Sequence, residues 1–188
     1  MMTVDPYETN VLRPEVHGRL VSDISHVAQD AHIEPHWIWT KLSENVTTGE
    51  YNWVKNFAKH KGAGNYGLCI VGNKAKIDPT TRMSAMAGAL LRNFIRARVC
   101  SVGEVIDYRE HGADDRITAL FVPNFFLGKA QGSSLPAWKL THLIDVLVER
   151  RLAGLQTVVY VSDLNALSEE YGVGFTQHFK SYFTIVNA

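Results

Sequence analysis

Two cysteines in 188 residues are too few for a disulfide framework. Cys69 and Cys100 each lie inside an apolar run, where a thiol behaves as a small hydrophobe, and their spacing fits neither a metal nor a redox motif. Net charge is also missing. Lys plus Arg equals Asp plus Glu at 19 each, so no global positive field holds nucleic acid without sequence preference. Any DNA contact must come from a local patch or through a partner. No apolar run approaches the length needed to cross a bilayer. Residues 1–10 carry Asp5 and Glu8 with no apolar core, so no secretory leader is expected and a reducing cytoplasm is the expected compartment. Repeats and low-complexity stretches are absent, and no Gly-x-Ser-x-Gly elbow supports serine hydrolysis. His32 and His36 sit four apart, but Pro35 breaks a shared helical face and no carboxylate or third histidine is suitably placed nearby, so no metal is expected.

What remains is an apolar fraction of 46%, ordinary for one well-packed domain. Apolar residues recur at three and four over 11–31, which predicts an amphipathic helix from near Pro14, packed on the body or serving as a partner-binding arm. Residues 32–39 read as an irregular aromatic connector anchored by Trp37 and Trp39. Helices are expected over 50–60, 80–98 and 136–153, and strands over 67–71, 99–106, 117–122, 157–162 and 182–186. Alternating apolar strands and helices call for a mainly parallel five-stranded sheet covered on both faces, a three-layer α/β domain over 33–188 with an N-terminal helical arm over 1–32.

The segment from Gly67 to Thr81 carries the most information. A buried strand runs into Gly72 and on to a helix, the layout that puts backbone N–H groups against phosphates. Where Gly-Lys-Ser/Thr should stand, the sequence reads Ile77-Asp78-Pro79. A carboxylate replaces the ammonium, and a residue without an N–H replaces the metal-binding hydroxyl. Gly72, Lys74, Lys76, Asp78, Thr80 and Thr81 are the remnant loop.

In order and spacing the chain resembles, from about Ile33 to Val186, the AAA+ domain of bacterial helicase loaders of the DnaC type and the related IstB-like ATPases. Four places carry the resemblance: Glu34-Pro35-His36-Trp37 with Tyr51-Asn52-Trp53-Val54, the loop 72–81 with its helix, Ala119-Leu120-Phe121-Val122-Pro123-Asn124, and the phrase from Val148 through Arg150-Arg151 and Gly154 to Ser162-Asp163. The resemblance implies a P-loop NTPase-like core without a lid domain. It implies a replicative helicase or an active ATPase paralogue as partner, single-stranded DNA as a further ligand, and assembly with like or unlike subunits. Measured against the family, Asp78 replaces the phosphate lysine, Pro123-Asn124 the acidic magnesium motif and Asp163 the sensor asparagine. No arginine follows Arg151, and His178 falls about where the family's C-terminal arginine would be.

Four losses leave little for catalysis. The expectation is a pseudo-ATPase with no catalytic residues and no cofactor. The alternative is an active ATPase that binds ATP and Mg through a displaced loop using Lys74 or Lys76. Arg150 and Arg151, at a position the family places near a subunit boundary, are the assembly candidates, the alternative being an exposed helix end that favours cations. Lys129, in the glycine- and serine-rich loop 126–134, is the DNA candidate. Asp114-Asp115 precede their strand and read as a solvated turn, not a nuclease cluster.

Overall fold

The computed structural model describes residues 5–72, 78–111, 116–128 and 135–188. Five strands form one parallel sheet in the order β2-β3-β4-β1-β5: β1 Gly67–Val71, β2 Ala97–Val99, β3 Ala119–Phe126, β4 Gln156–Val161 and β5 Phe183–Asn187. The fold class expected from the sequence, a three-layer P-loop NTPase-like α/β domain, is what the chain adopts.

Side-chain alternation explains the three layers. Leu68, Ile70, Phe121, Val158 and Tyr160 point to one face, where they meet Met83, Met86 and Leu90 of α5 (Pro79–Arg92) and Trp53 of α3 (Thr48–Lys55). Cys69, Leu120, Val122, Val159 and Val161 point to the other. There they meet α6 (Val102–Glu110), α7 (Ala137–Leu152), α8 (Leu164–Tyr171) and α9 (Val173–Tyr182) through Val105, Leu143, Leu147, Leu167 and Phe179. Strands buried on both faces are what the uninterrupted apolar runs demand.

Four local expectations need correction. The single helix over 11–31 is two, α1 (Pro14–Ser22) and α2 (Ile24–Asp30), broken at Asp23. The helix over 50–60 is likewise α3 followed by α4 (Phe57–His60), with Asn56 between them. The helix expected to run to Arg98 ends at Arg92, because Phe94 turns into the left-handed region at φ 60° and stands 63% exposed; Arg98 belongs to β2. The strand expected over 99–106 stops at Val99. Ser101 and Glu104 then form a reciprocal capping box that starts α6.

The two N-terminal helices pack onto the body. Leu12, Leu20 and Ala28 cluster with Ile38 and Leu91, and His17 uses both ring nitrogens, accepting from Arg13 N at 2.9 Å and donating to Arg92 O at 3.1 Å. The aromatic connector comes down on α5 at Gly88, where a Cβ would lie 2.2 Å from the Trp37 carbonyl oxygen. Only glycine permits that approach.

Candidate functional site

In an open parallel sheet, ligands gather beyond the carboxyl ends of the strands, at the β1 to α5 connection. β1 ends at Val71, and Gly72 has φ 151°, where a Cβ would come within 3.0 Å of Ala188 Cβ. Tyr160 of β4 donates its hydroxyl to Gly72 O, pinning the mouth of the loop; burial raises the Tyr160 pKa. Lys74 and Lys76 lie outside the described residues.

The next described residue is Asp78. Asp78 is the N-cap of α5, and its Oδ2 accepts from Thr80 N at 2.9 Å and Thr81 N at 3.2 Å. Pro79, at the first helical position, offers no N–H. Two N–H groups at the start of α5 are therefore engaged by a carboxylate of the chain itself, whose charge also satisfies the helix dipole. A second anion at the same place would meet negative charge and no vacant donor among these groups.

One turn further, Arg82 is buried with its Nε 3.4 Å from Oε1 of the fully buried Glu50. The other Glu50 oxygen, Oε2, accepts from Thr47 N at 2.7 Å as part of the capping box of α3. The cation nearest the remnant loop in the sequence of α5 is thus paired with a buried carboxylate.

The remaining expected positions have structural duties. Pro123 and Asn124 do not follow the third strand. They lie inside β3, which continues to Phe126 with a register shift against β4 between Val122 and Phe126. On its other side β3 pairs with β2 from Ala119 only as far as Phe121, so the absent N–H of Pro123 falls beyond the ladder. Asn124 Oδ1 accepts from Val102 N at 2.8 Å and so caps α6 from outside. Asp163 is the N-cap of α8, its Oδ1 accepting from Ala166 N at 2.7 Å.

Arg150 is not at a surface. It is 2% exposed and donates to Thr157 Oγ1 at 2.9 Å, Ile117 O at 2.9 Å and Gln156 O at 2.8 Å, tying α7 to the segments entering β3 and β4. The chain leaves only Arg151 as an assembly candidate from that pair. Arg151 is half-buried, with its guanidinium 4.2 Å from the Tyr182 ring centroid. Beside it His178 is buried, and its Nε2 has no hydrogen-bond partner among the described residues. Burial, then the neighbouring Arg151 charge, lowers the His178 pKa to about 4. A neutral imidazole is no substitute for an arginine that reaches phosphate. Lys129 and Asp114-Asp115 lie outside the described residues.

A cavity of about 340 Å³ adjoins the start of α5, lined among others by Trp37, Asp78, Thr80, Thr81 and His32. His32 is the residue that sequence reasoning left without partners. In the fold its Nδ1 lies 3.9 Å from Cys100 Sγ and 3.6 Å from Glu104 Oε1.

No protein-family model matches the chain, and no curated protein matches it in sequence. Solved structures do resemble it. A replication initiator DnaA bound to AMPPCP and single-stranded DNA superposes with a TM-score of 0.57 at 12% identity, over 78% of this chain and 49% of that one. A structure described as a DNA replication initiation factor gives 0.56 at 12% identity, over 78% and 48%. The chain spans about half the length of these neighbours, and the likeness is one of fold. No helix among the described residues is long and apolar enough to cross a membrane.

Proposed function

We propose that this protein is a non-catalytic accessory factor of DNA replication or of a mobile element, resembling a helicase loader. In this reading it uses an AAA+-type scaffold to bind a protein partner, a replicative helicase or an active ATPase paralogue, and through it or directly single-stranded DNA. One observation carries the reading: Asp78 caps α5 and occupies, with its own carboxylate, the N–H groups of Thr80 and Thr81. Phosphoryl transfer relies on cations and oriented donors around the transferring group. Here the donors Thr80 N and Thr81 N are engaged, Arg82 is paired with Glu50, and no carboxylate stands at Pro123-Asn124 to hold magnesium. The similarity in fold to replication initiators supports the replication context, and the DNA bound in one of them supports testing DNA as a ligand here.

Arg151, next to the exposed Leu152 at the end of α7, is the contact we assign to an assembly partner, and Lys129 the contact we assign to DNA. The scaffold then works as an adaptor or as an inert subunit in a ring with active ones.

Calorimetric titration with ATP and magnesium tests the first half of this reading. The expected result is no binding in the micromolar range. Magnesium-dependent micromolar binding that disappears when Lys74 and Lys76 become alanine would instead establish an active ATPase with a displaced loop. Sedimentation of the protein with its host's replicative helicase, with and without single-stranded oligonucleotide, tests the second half. A complex weakened by Arg151→Ala is expected, and sedimentation as independent species would refute the partner assignment.

A further inference from the structure

We infer that His32 Nδ1, Cys100 Sγ and Glu104 Oε1 form a binding site for a zinc-like divalent transition metal, which would staple the N-terminal helices to the sheet. The three ligand atoms lie within 4.8 Å of one another. With bonds of about 2.1 Å to nitrogen and oxygen and about 2.3 Å to sulfur, the two shorter separations close triangles with angles at the ion of about 125° for N–metal–S and about 118° for N–metal–O. Both are wider than the tetrahedral angle and close to trigonal, leaving the ion's open side for a further ligand. A third pair as far apart as 4.8 Å must close to about 3.6–3.8 Å to share the same shell, a side-chain movement of up to about 1.2 Å.

Each ligand stands on fixed backbone. His32 follows Ala31, whose carbonyl accepts from Val99 N at 2.9 Å, and Arg98 Nε donates to Asp30 O at 2.8 Å, so the end of α2 is already fastened to β2. Cys100 is held by its N–H to Phe121 O at 2.9 Å. The Glu104 carboxylate is oriented by Ser101 N, which donates to Oε2 at 2.7 Å and leaves Oε1 for His32. A ligand oxygen whose partner oxygen is hydrogen-bonded to backbone is the supporting arrangement metal sites use. His32 sits at φ 55°, a conformation that favours Asn, Asp and His among residues with side chains.

The same three residues could be read as a cysteine nucleophile with a histidine base and an orienting carboxylate. The geometry argues against that reading. A relay needs opposite ring nitrogens, one toward the thiol and one toward the carboxylate, whereas here both contacts converge on Nδ1. With both contacts on Nδ1, no second ring nitrogen is left in place to complete a relay. Burial also pushes the Cys100 thiol up to about 12, away from activation.

A sulfur, an imidazole nitrogen and a single carboxylate suit zinc and exclude magnesium and calcium, which want all-oxygen shells. The side chains of His32 and Glu104 are 35% and 45% exposed, so the fourth position opens to water. On binding, the Cys100 S–H bond breaks, the sulfur bonds the ion and the proton leaves to solvent, with no change of oxidation state.

Cobalt(II) titration of chelator-treated full-length protein tests the site. The expected result is a thiolate-to-cobalt charge-transfer absorption, bleached by added zinc, retained in Cys69→Ala and lost in Cys100→Ala. His32→Asn, suited to the backbone at that position, and Glu104→Gln, which keeps the capping hydrogen bond, should each weaken zinc binding at least about tenfold. Both act at half-exposed side chains, so they decide the matter even if Cys100→Ala fails to fold. Absence of the band in wild type, its persistence without Cys100, or unchanged affinity in both His32→Asn and Glu104→Gln would overturn the site.

Discussion

Replacing Asp78 by alanine separates the two things its carboxylate does. In the fold it satisfies two donors at the start of a 14-residue helix whose inner face is central to the core. Loss of an N-cap costs about 1 kcal/mol, up to about 2 in favourable cases, and loss of the charge at the dipole's positive end adds about 0.3–1 kcal/mol. For a domain of this size each kcal/mol corresponds to roughly 2–4 °C in Tm, so Asp78→Ala should melt roughly 3–12 °C below the wild type. Asp78→Asn, which keeps a capping oxygen and loses only charge, should fall between them.

The second effect has the opposite sign. Freeing Thr80 N and Thr81 N creates the anion site that the native carboxylate fills, so sulfate or inorganic phosphate should raise the Tm of Asp78→Ala more than that of the wild type. Thermal melts in matched ionic strengths of chloride and sulfate read both effects at once. Equal gains in the two proteins, or an Asp78→Ala Tm unchanged from wild type, would refute the claim that this side chain stands in for a bound anion. Asp78→Lys restores the residue type of an active loop, yet it should not confer ATP binding, since Pro79 still lacks an N–H and position 124 still lacks a carboxylate.

Three further outcomes follow from the packing. Arg150→Met removes the donors to Thr157 Oγ1, Ile117 O and Gln156 O, and stranding those buried acceptors should destabilise by about 3 kcal/mol or more in chemical denaturation. Because the folded-state pKa of His178 is depressed from 6.5 to about 4, unfolding takes up a proton across that window. Stability should therefore be full above pH 6.5 and fall as pH drops toward 4, a slope that His178→Phe flattens in pH-dependent unfolding. Gly88→Ala, whose Cβ would meet the Trp37 carbonyl, should cost about 1–3 kcal/mol and redshift tryptophan emission as the aromatic connector lifts, whereas unchanged stability would show that the connector gives way freely.

The core strands were legible because Leu68 to Val71 and Val158 to Val161 are apolar without interruption, and only a sheet covered on both faces accommodates that. The stretch after Val99 was misread for a physical reason: Val99, Cys100, Val102, Val105 and Ile106 are apolar at intervals that suit strand and helix alike. The deciding signal was the polar pair Ser101 and Glu104, spaced as a capping box. Asp78 before proline stands out of place in a phosphate loop, but its capping of α5 depends on backbone geometry that the residue order alone does not fix. Arg150 looked like one of two exposed cations at a helix end, since periodicity cannot distinguish the inward arginine from the outward one when both follow an amphipathic run. The partners of His32 were invisible in sequence. Cys100 is 68 residues away, and only the docking of α2 against β2 brings them together.

The fastening of α2 to β2 also bears on how the molecule responds to force or to a competing surface. Ala31 lends its carbonyl to Val99 on an outer strand whose other side is already paired with β3, so the N-terminal helices are held at the sheet's border as well as over α5. Anything that peels those helices away must uncover the edge of β2 in the same movement. A partner that pairs with that edge would therefore release the helices, and one that grips the helices would expose a strand.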